Sequence, residues 1–278
     1  MSNVSSEAEI IDLSLGPRST QWEQYGIHEA PILLEGTDQK ERESKQYKAI
    51  LRKDRLTAIV STKYTLYPNE EAIKDINEAI AGTSFHPHQE KFSRNGNAIY
   101  KTYLSDDWKR EVEVGDIVQL GFMLRNSIDG STGFGIELFS YRLVCKNGAV
   151  APGAALGRIS RMHVGDFSRA MLGLKEQIFR LMQVGEDLIQ TYRKWTQIRI
   201  NQKLAEVLAK SAIPNKYLPD YIDVTKEGSI SLLQTPTLWT VFNDVTQAVW
   251  HNNKLQPQTI VQHTEAVHNL LVAPEVMA

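Results

Sequence analysis

A chain of 278 residues with a formal net charge of −2 and a pI near 6.4 is long enough to bury a core without metal or disulfide staples, and it lacks the basic balance of a simple nucleic-acid binder. Hydrophobic residues at 42% and charged residues at 23% are ordinary for a globular domain and exclude a fibrous or wholly disordered chain. The single cysteine, Cys145, cannot form an intramolecular disulfide; with no basic and apolar leader and no apolar run of spanning length, the expectation is a reducing, cytoplasmic setting and no membrane.

Residues 1–45 are rich in Ser, Glu and Gly, with scattered anchors at Trp22, Tyr25, Ile32 and Leu33, and predict a loosely ordered arm. From Tyr47 the texture changes. Ala49, Ile50 and Leu51, a polar turn at Lys53-Asp54-Arg55, and the run Leu56 to Val60 predict a hairpin. Pro68 and Asn69 serve as stop and N-cap for a short helix, in which Glu70 and Glu71 suit the dipole and Ile73, Ile76 and Ile80 form a stripe until Gly82. Asn95-Gly96 predicts a type I′ turn between strands ending near Phe92 and resuming at Ala98 to Leu104.

Lys109 to Glu113 leads through Gly115-Asp116 into a long strand bearing Ile117, Val118, Leu120, Phe122 and Leu124. After a turn at Asp129-Gly130, the return strand Phe134 to Cys145 carries Phe134, Ile136 and Leu138 on one parity and Tyr141 and Leu143 on the other, which predicts a bulge near Ser140. Asn147-Gly148 closes this meander. Between about Asp166 and Ala212 apolar residues recur every three or four positions, predicting two helices or one long bent helix with Gly173 and Gly185 as weak points. Pro214 and Pro219 break the chain before a helix with the stripe Leu238, Val241, Phe242, Val245, Val249 and Trp250, started by Thr235 or Thr237, and a tail helix from Thr259 to Leu271. The fold class is therefore α+β: a central antiparallel β-meander, with the Gly121–Val150 hairpin at its heart, a short crossing helix and a mostly helical C-terminal half. The corresponding division is an arm at 1–45, a β-rich core at 46–160 and a helical region at 161–278 packed on that core.

Catalytic chemistry finds little support. His86 and His88 have no Cys or His partners at zinc spacing, and His263 and His268 are five apart, not the four of a helical metal site. Cys145, read as part of an apolar strand, has no base or oxyanion signature beside it. Gly130, Gly133 and Gly135 precede a strand, not the helix a phosphate loop needs, and read as turn chemistry. Asp106-Asp107, Glu111 and Glu113 read as a wet strand face. No enzyme, metal or cofactor is expected.

Charge distribution is more informative. Between Leu138 and Lys175 stand Arg142, Lys146, Arg158, Arg161, Arg169 and Lys175 against the lone acid Asp166, whereas from Glu227 onward Glu227, Asp244, Glu265 and Glu275 face only Lys254. Arg125, Arg142, Lys146, Arg158 and Arg161 lie on or just beyond the longest hairpin, with Tyr141 interleaved. Guanidinium groups grip phosphates and aromatic faces stack bases, so such a hairpin suits single-stranded nucleic acid. The plain alternative is that these charges line an ordinary wet face and Tyr141 is core.

The runs Leu124-Arg125-Asn126-Ser127-Ile128-Asp129-Gly130-Ser131 and Tyr141-Arg142-Leu143-Val144-Cys145-Lys146-Asn147-Gly148 resemble the signature of a phage- and plasmid-associated family catalogued only as a domain of unknown function. Ile59-Val60-Ser61-Thr62-Lys63-Tyr64 and Trp239-Thr240-Val241-Phe242-Asn243-Asp244-Val245-Thr246 resemble its outer motifs, so the likeness spans Tyr47 to Thr246. It implies a mobile-element protein and, by analogy of fold with single-strand annealing proteins, a ring-forming homo-oligomer; fold alone does not fix function. The resulting expectation is a non-enzymatic protein that binds or anneals single-stranded DNA, in preference to RNA, through Arg125, Arg142, Lys146, Arg158, Arg161 and Tyr141, with Arg52, Arg55 and Lys63 as weaker additions. The rival expectation is an assembly factor that buries Trp239 and Trp250 in a protein partner.

Overall fold

The computed structural model describes residues 10–36, 40–150, 158–165 and 173–273, with backbone alone at 10–13, 36 and 158. It is an α+β fold built on antiparallel sheets. Strands β1 (Ile10–Leu15), β2 (Ile27–Gly36), β3 (Glu41–Arg52) and β4 (Arg55–Ser61) form a four-stranded sheet in sequence order. Residues 10–36, expected to belong to a loosely ordered arm, thus carry two strands. Their apolar alternation is interrupted by Pro31 and by a register shift between Pro31 and Leu33, so the period of two is hidden in the sequence.

The β3–β4 hairpin agrees with expectation, and it is here that the tight two-residue turn falls: Lys53 and Asp54 both have positive φ, at 47° and 64°, between the paired Arg52 and Arg55. At Asn95-Gly96 only Gly96 is left-handed, so that turn is not type I′. A wider loop forms instead, held by Ser93, whose Oγ accepts from Ala98 N, and by Asn95, whose Oδ1 accepts from Asn97 N.

The larger sheet comprises β5 (Phe85–Phe92), β6 (Ala98–Glu113), β7 (Asp116–Ser127), β8 (Phe134–Arg142), β9 (Asn147–Val150) and β10 (Arg158–Arg161). Its order is β10-β8-β7-β6-β5, with β9 and β10 sharing the outer edge of β8. Asn147-Gly148 therefore opens a strand and does not end the meander; residues 143–146 make the turn, with Lys146 at φ 53°. The bulge expected near Ser140 is absent, since β7 and β8 pair without a shift from Arg125↔Gly135 to Val118↔Arg142.

Burial on both faces accounts for the misleading parity. Helix α1 (Asn69–Ala79) and helix α2 (Leu174–Trp195) cover the face bearing Tyr103, Leu120, Phe122 and Leu138: Phe85 meets both Phe122 and Phe179, and Tyr103 OH donates to Asn77. The opposite face, with Tyr100, Met123 and Phe139, lies against α4 (Leu238–Trp250) and α5 (Pro257–Leu271) through Trp250, Ile260 and Val261. Seven consecutive residues of β8, Phe134 to Ser140, are buried, so apolar side chains on both parities have somewhere to go.

Helix starts follow local chemistry. Thr237 caps α4 by accepting from Thr240 N, and Asn201 caps α3 (Gln202–Ala209) by accepting from Leu204 N. Pro68, not Asn69, takes the cap position of α1; Asn69 is buried, donates to Asn97 O and accepts from Asn126 Nδ2, tying the helix to β6 and β7. Gly185, expected to be a weak point, sits inside α2 where a Cβ would lie 2.7 Å from Leu120 Cδ1, so its lack of side chain lets the helix approach the sheet. A small hairpin of β11 (Ile222–Val224) and β12 (Ile230–Leu232) completes the chain between the prolines and α4.

The last turns of α2 join α4 and α5 in an aromatic cluster of Tyr192, Trp195, Trp239 and Phe242 around His268. Trp239 and Trp250, expected by the rival reading to insert into a partner, are buried in this chain's own core at 2% and 6% exposure. His268 is 1% exposed, and neither of its ring nitrogens has a hydrogen-bond partner among the described residues.

Two predictions follow from this packing. A Cβ on Gly121 would sit 1.8 Å from the Tyr103 carbonyl oxygen, a backbone atom that cannot swing aside. Gly121→Ala is expected to cost more than about 3 kcal/mol in a urea melt. Burial lowers the His268 pKa to about 4 from its ordinary 6.5. The unfolded chain thus takes up a proton before the folded one as pH falls, and the stability held above pH 6.5 is lost on the way to pH 4. Relative to His268→Phe, the wild-type protein should lose about 3 kcal/mol over that window in pH-dependent melts.

Candidate functional site

Antiparallel pairing aligns Arg125 of β7 with Gly135 of β8, and Gly135 has no side chain to stand in the way. The Arg125 guanidinium passes over it to Glu137, with Nε at 2.9 Å, and donates to Thr132 Oγ1 at 2.6 Å. The Glu137 side chain is 1% exposed; burial, with Glu265 adding repulsion, pushes its carboxyl up to about 7 against the pull of Arg125. Glu265 is raised as well, chiefly by burial. Gly135 is therefore a packing glycine, not turn chemistry.

Arg142, at the end of β8, donates from Nε to both carboxylate oxygens of Asp116, at 2.7 and 2.9 Å, and lies over the Trp239 ring at 5.8 Å. Trp239 Nε1 donates to the same carboxylate at 2.8 Å, so Asp116 and Arg142 clamp β7, β8 and the start of α4 together. Cys145 is half-buried in the turn that follows, outside any strand, with its Sγ 3.0 Å from Arg142 Nη1. Tyr141 is half-buried against the core and edge-on to His88 at 4.4 Å between ring centroids.

The structure thus divides the basic residues expected to hold phosphate. Arg125 and Arg142 are committed to carboxylates inside the fold, and Arg52 donates to Gly96 O at 2.8 Å with Glu70 at 3.6 Å. Lys146, Arg161, Arg55 and Lys63 are exposed. Arg158 pairs through its backbone with Glu137; its side chain, like Arg169, lies outside the described residues.

One of the exposed cations, Lys63, lines a cleft. The antiparallel bridge between Tyr64 and Val164, with Thr65 N donating to His163 O at 2.8 Å, brings the segment after β4 against the segment after β10 and sets Lys63 beside Gly165, with Arg161 running away from it. Between that seam and the four-stranded sheet lies an open cleft of about 520 Å³ lined by Trp22, Glu29, Lys48, Lys63, Tyr64 and Val164. Tyr64 is set rigidly: its ring stacks on His163 at 5.0 Å and its hydroxyl donates to Ser127 O at 3.0 Å. Lys48 reaches Glu29 at 2.6 Å, which neutralises it within the wall. Thr62 N bonds Gln46 O and Thr62 Oγ1 bonds Lys45 O, which fixes Thr62 in the cleft wall.

Trp22, Tyr64 and Lys48 do not stand out as a group in the sequence, because they are brought together by a four-stranded sheet whose first strands carry no clean alternation. Lys63 and Tyr64 did stand together in the motif Ile59 to Tyr64.

The division is testable by stability. Arg142→Ala leaves the Asp116 carboxylate, 6% exposed, without its cation and should cost about 3 kcal/mol or more, while Lys146→Ala should fall within about 0.5 kcal/mol of wild type in the same denaturant titration.

No curated protein and no solved structure matches the chain. Residues 57–271 match the family described as Domain of unknown function (DUF932), which takes in β4 through α5 and therefore both central hairpin strands and one wall of the cleft. With most of its 278 residues inside that match, the chain belongs to the DUF932 family.

Proposed function

We propose that this protein binds single-stranded nucleic acid in the cleft between its four-stranded sheet and the Tyr64–Val164 seam, as a non-catalytic, cytoplasmic homo-oligomer encoded by a phage or plasmid. The observation that carries the reading is the meeting of two aromatic rings, Trp22 and Tyr64, with the exposed Lys63 in one open cleft. Flat rings offer stacking surfaces to any base, and cations on long, exposed side chains follow a phosphate backbone without demanding a sequence. The locally basic stretch of the sequence supports the reading only through its exposed members, since Arg125 and Arg142 hold the fold. Preference for DNA, and a role near replication or recombination, rest on the mobile-element context that the motif resemblance implies.

Anisotropy titrations of a labelled oligo-dT against salt test the proposal. Lys63→Ala should lower the slope of log affinity against log salt by about 0.7, one contact on a single strand. Trp22→Ala should weaken binding by roughly 1–3 kcal/mol at constant salt slope. Absence of any salt-dependent retention by the wild-type protein at low ionic strength would end the proposal.

A further inference from the structure

A second open cleft, of about 440 Å³, lies at the start of α5, where that helix meets the loops joining β5 to β6 and β7 to β8. Gln256 occupies the N-cap position of α5, but its side chain caps nothing in its own helix, because Oε1 accepts from Arg94 N at 2.8 Å. Pro257 takes the first helical position and has no N–H to satisfy, and the first turn carries no acid. The N–H groups of Gln258 and Thr259 are left without an acceptor from their own helix, at the positive end of a 15-residue dipole.

Two side chains meet that helix end. Arg94 is exposed, lines the cleft and forms no ion pair among the described residues. Tyr100 lines it from the sheet floor, paired with Arg125 across β6 and β7, and is only 5% exposed. Its hydroxyl has no hydrogen-bond partner among the described residues, and burial pushes it up to about 12 although Arg125 pulls it down. A buried phenol kept protonated in this way is a donor, and the cleft is where its acceptor fits. The two acids that act on Tyr100 are already engaged: Glu137 with Arg125, and Asp129 with Asn95 Nδ2, Asn97 Nδ2 and Ser131 N.

We infer that this cleft binds a phosphate group, whose oxygens accept from the Gln258 and Thr259 N–H groups and from the Tyr100 hydroxyl, with Arg94 supplying the charge. Donors arriving from a helix, a sheet and a loop suit the three terminal oxygens of a tetrahedral group better than the two of a planar carboxylate. The site is distinct from the cleft that holds Trp22 and Tyr64. Gly130 lies against the Tyr64 ring and the next residue, Ser131, lines the second cleft, so the Asp129-Gly130 turn stands between the two. A phosphate held here can belong to a strand that crosses this turn or to a free nucleotide. The inference does not depend on nucleic-acid binding in the first cleft.

Backbone amide NMR shifts of the full chain test it, with inorganic phosphate and thymidine 5′-monophosphate titrated at constant ionic strength against chloride and thymidine as controls. Both phosphate ligands should shift the Gln258 and Thr259 amides saturably, with a Kd on the order of 1 mM for inorganic phosphate. Arg94→Ala and Tyr100→Phe should each weaken binding about tenfold, and Lys63→Ala should leave it unchanged. Gln258→Glu should abolish binding yet melt at or above the wild-type temperature, since a carboxylate suits a helix start, so that loss of binding is not loss of fold. If oligo-dT displaces phosphate and is itself weakened by Gln258→Glu, the site is upheld as a strand contact. If thymidine 5′-monophosphate binds more tightly than inorganic phosphate and oligo-dT is indifferent to Gln258→Glu, it is upheld as a nucleotide site. Shifts that do not saturate, that chloride or thymidine reproduces, or that survive both Arg94→Ala and Tyr100→Phe overturn the inference.

Discussion

The central strands of the large sheet have helices on both faces, and this double cover governs what their polar residues can do. A strand with one wet face can project arginines into solvent; β7 and β8 have no such face over most of their length. Any cation on them must find an anion inside the protein or remain buried without one, at a cost of several kcal/mol. Arg125 has Glu137 and Thr132, Arg142 has Asp116, and each pair crosses between neighbouring strands. The arginines that look like phosphate ligands in the sequence are thereby consumed in fastening the sheet.

The same constraint separates what could be read from sequence from what could not. Local signals were legible: the stop at Pro68, the Thr237 cap, the Lys53-Asp54 turn and the three-to-four spacing of α2 all act within a few residues. Signals that depend on what lies across the sheet were not. The apparent change of parity at Ser140 suggested a bulge because a half-wet strand was assumed, and Gly135 and Gly185 looked like turn and weak point because their neighbours, Arg125 and Leu120, come from other strands. The +5 surplus of the segment Leu138 to Lys175 starts one residue after Glu137, whose carboxylate meets Arg125 from the adjacent strand. A count along the chain is blind to such pairing. The cleft was illegible for the same reason, as Trp22, Lys48 and Tyr64 are distant from Val164 in sequence and meet only after two sheets are set against each other.

That meeting gives the family match a physical meaning. The match begins at residue 57, inside β4, so β1, β2 and β3, with every pairing partner of β4, stand outside it. Yet β4 is not a self-sufficient edge: its ladder is with β3, and its inward Val60 packs with Ile27 and Ile50. The seam of Tyr64, Thr65 and His163 belongs to the matched part, whereas Trp22, Glu29 and Lys48 complete the opposite wall from outside it. One wall of the cleft thus lies within the matched residues and the other is supplied by the strands before them. The cleft as a whole is therefore built by both parts of the chain, and the arginines of the central hairpin belong to neither of its walls.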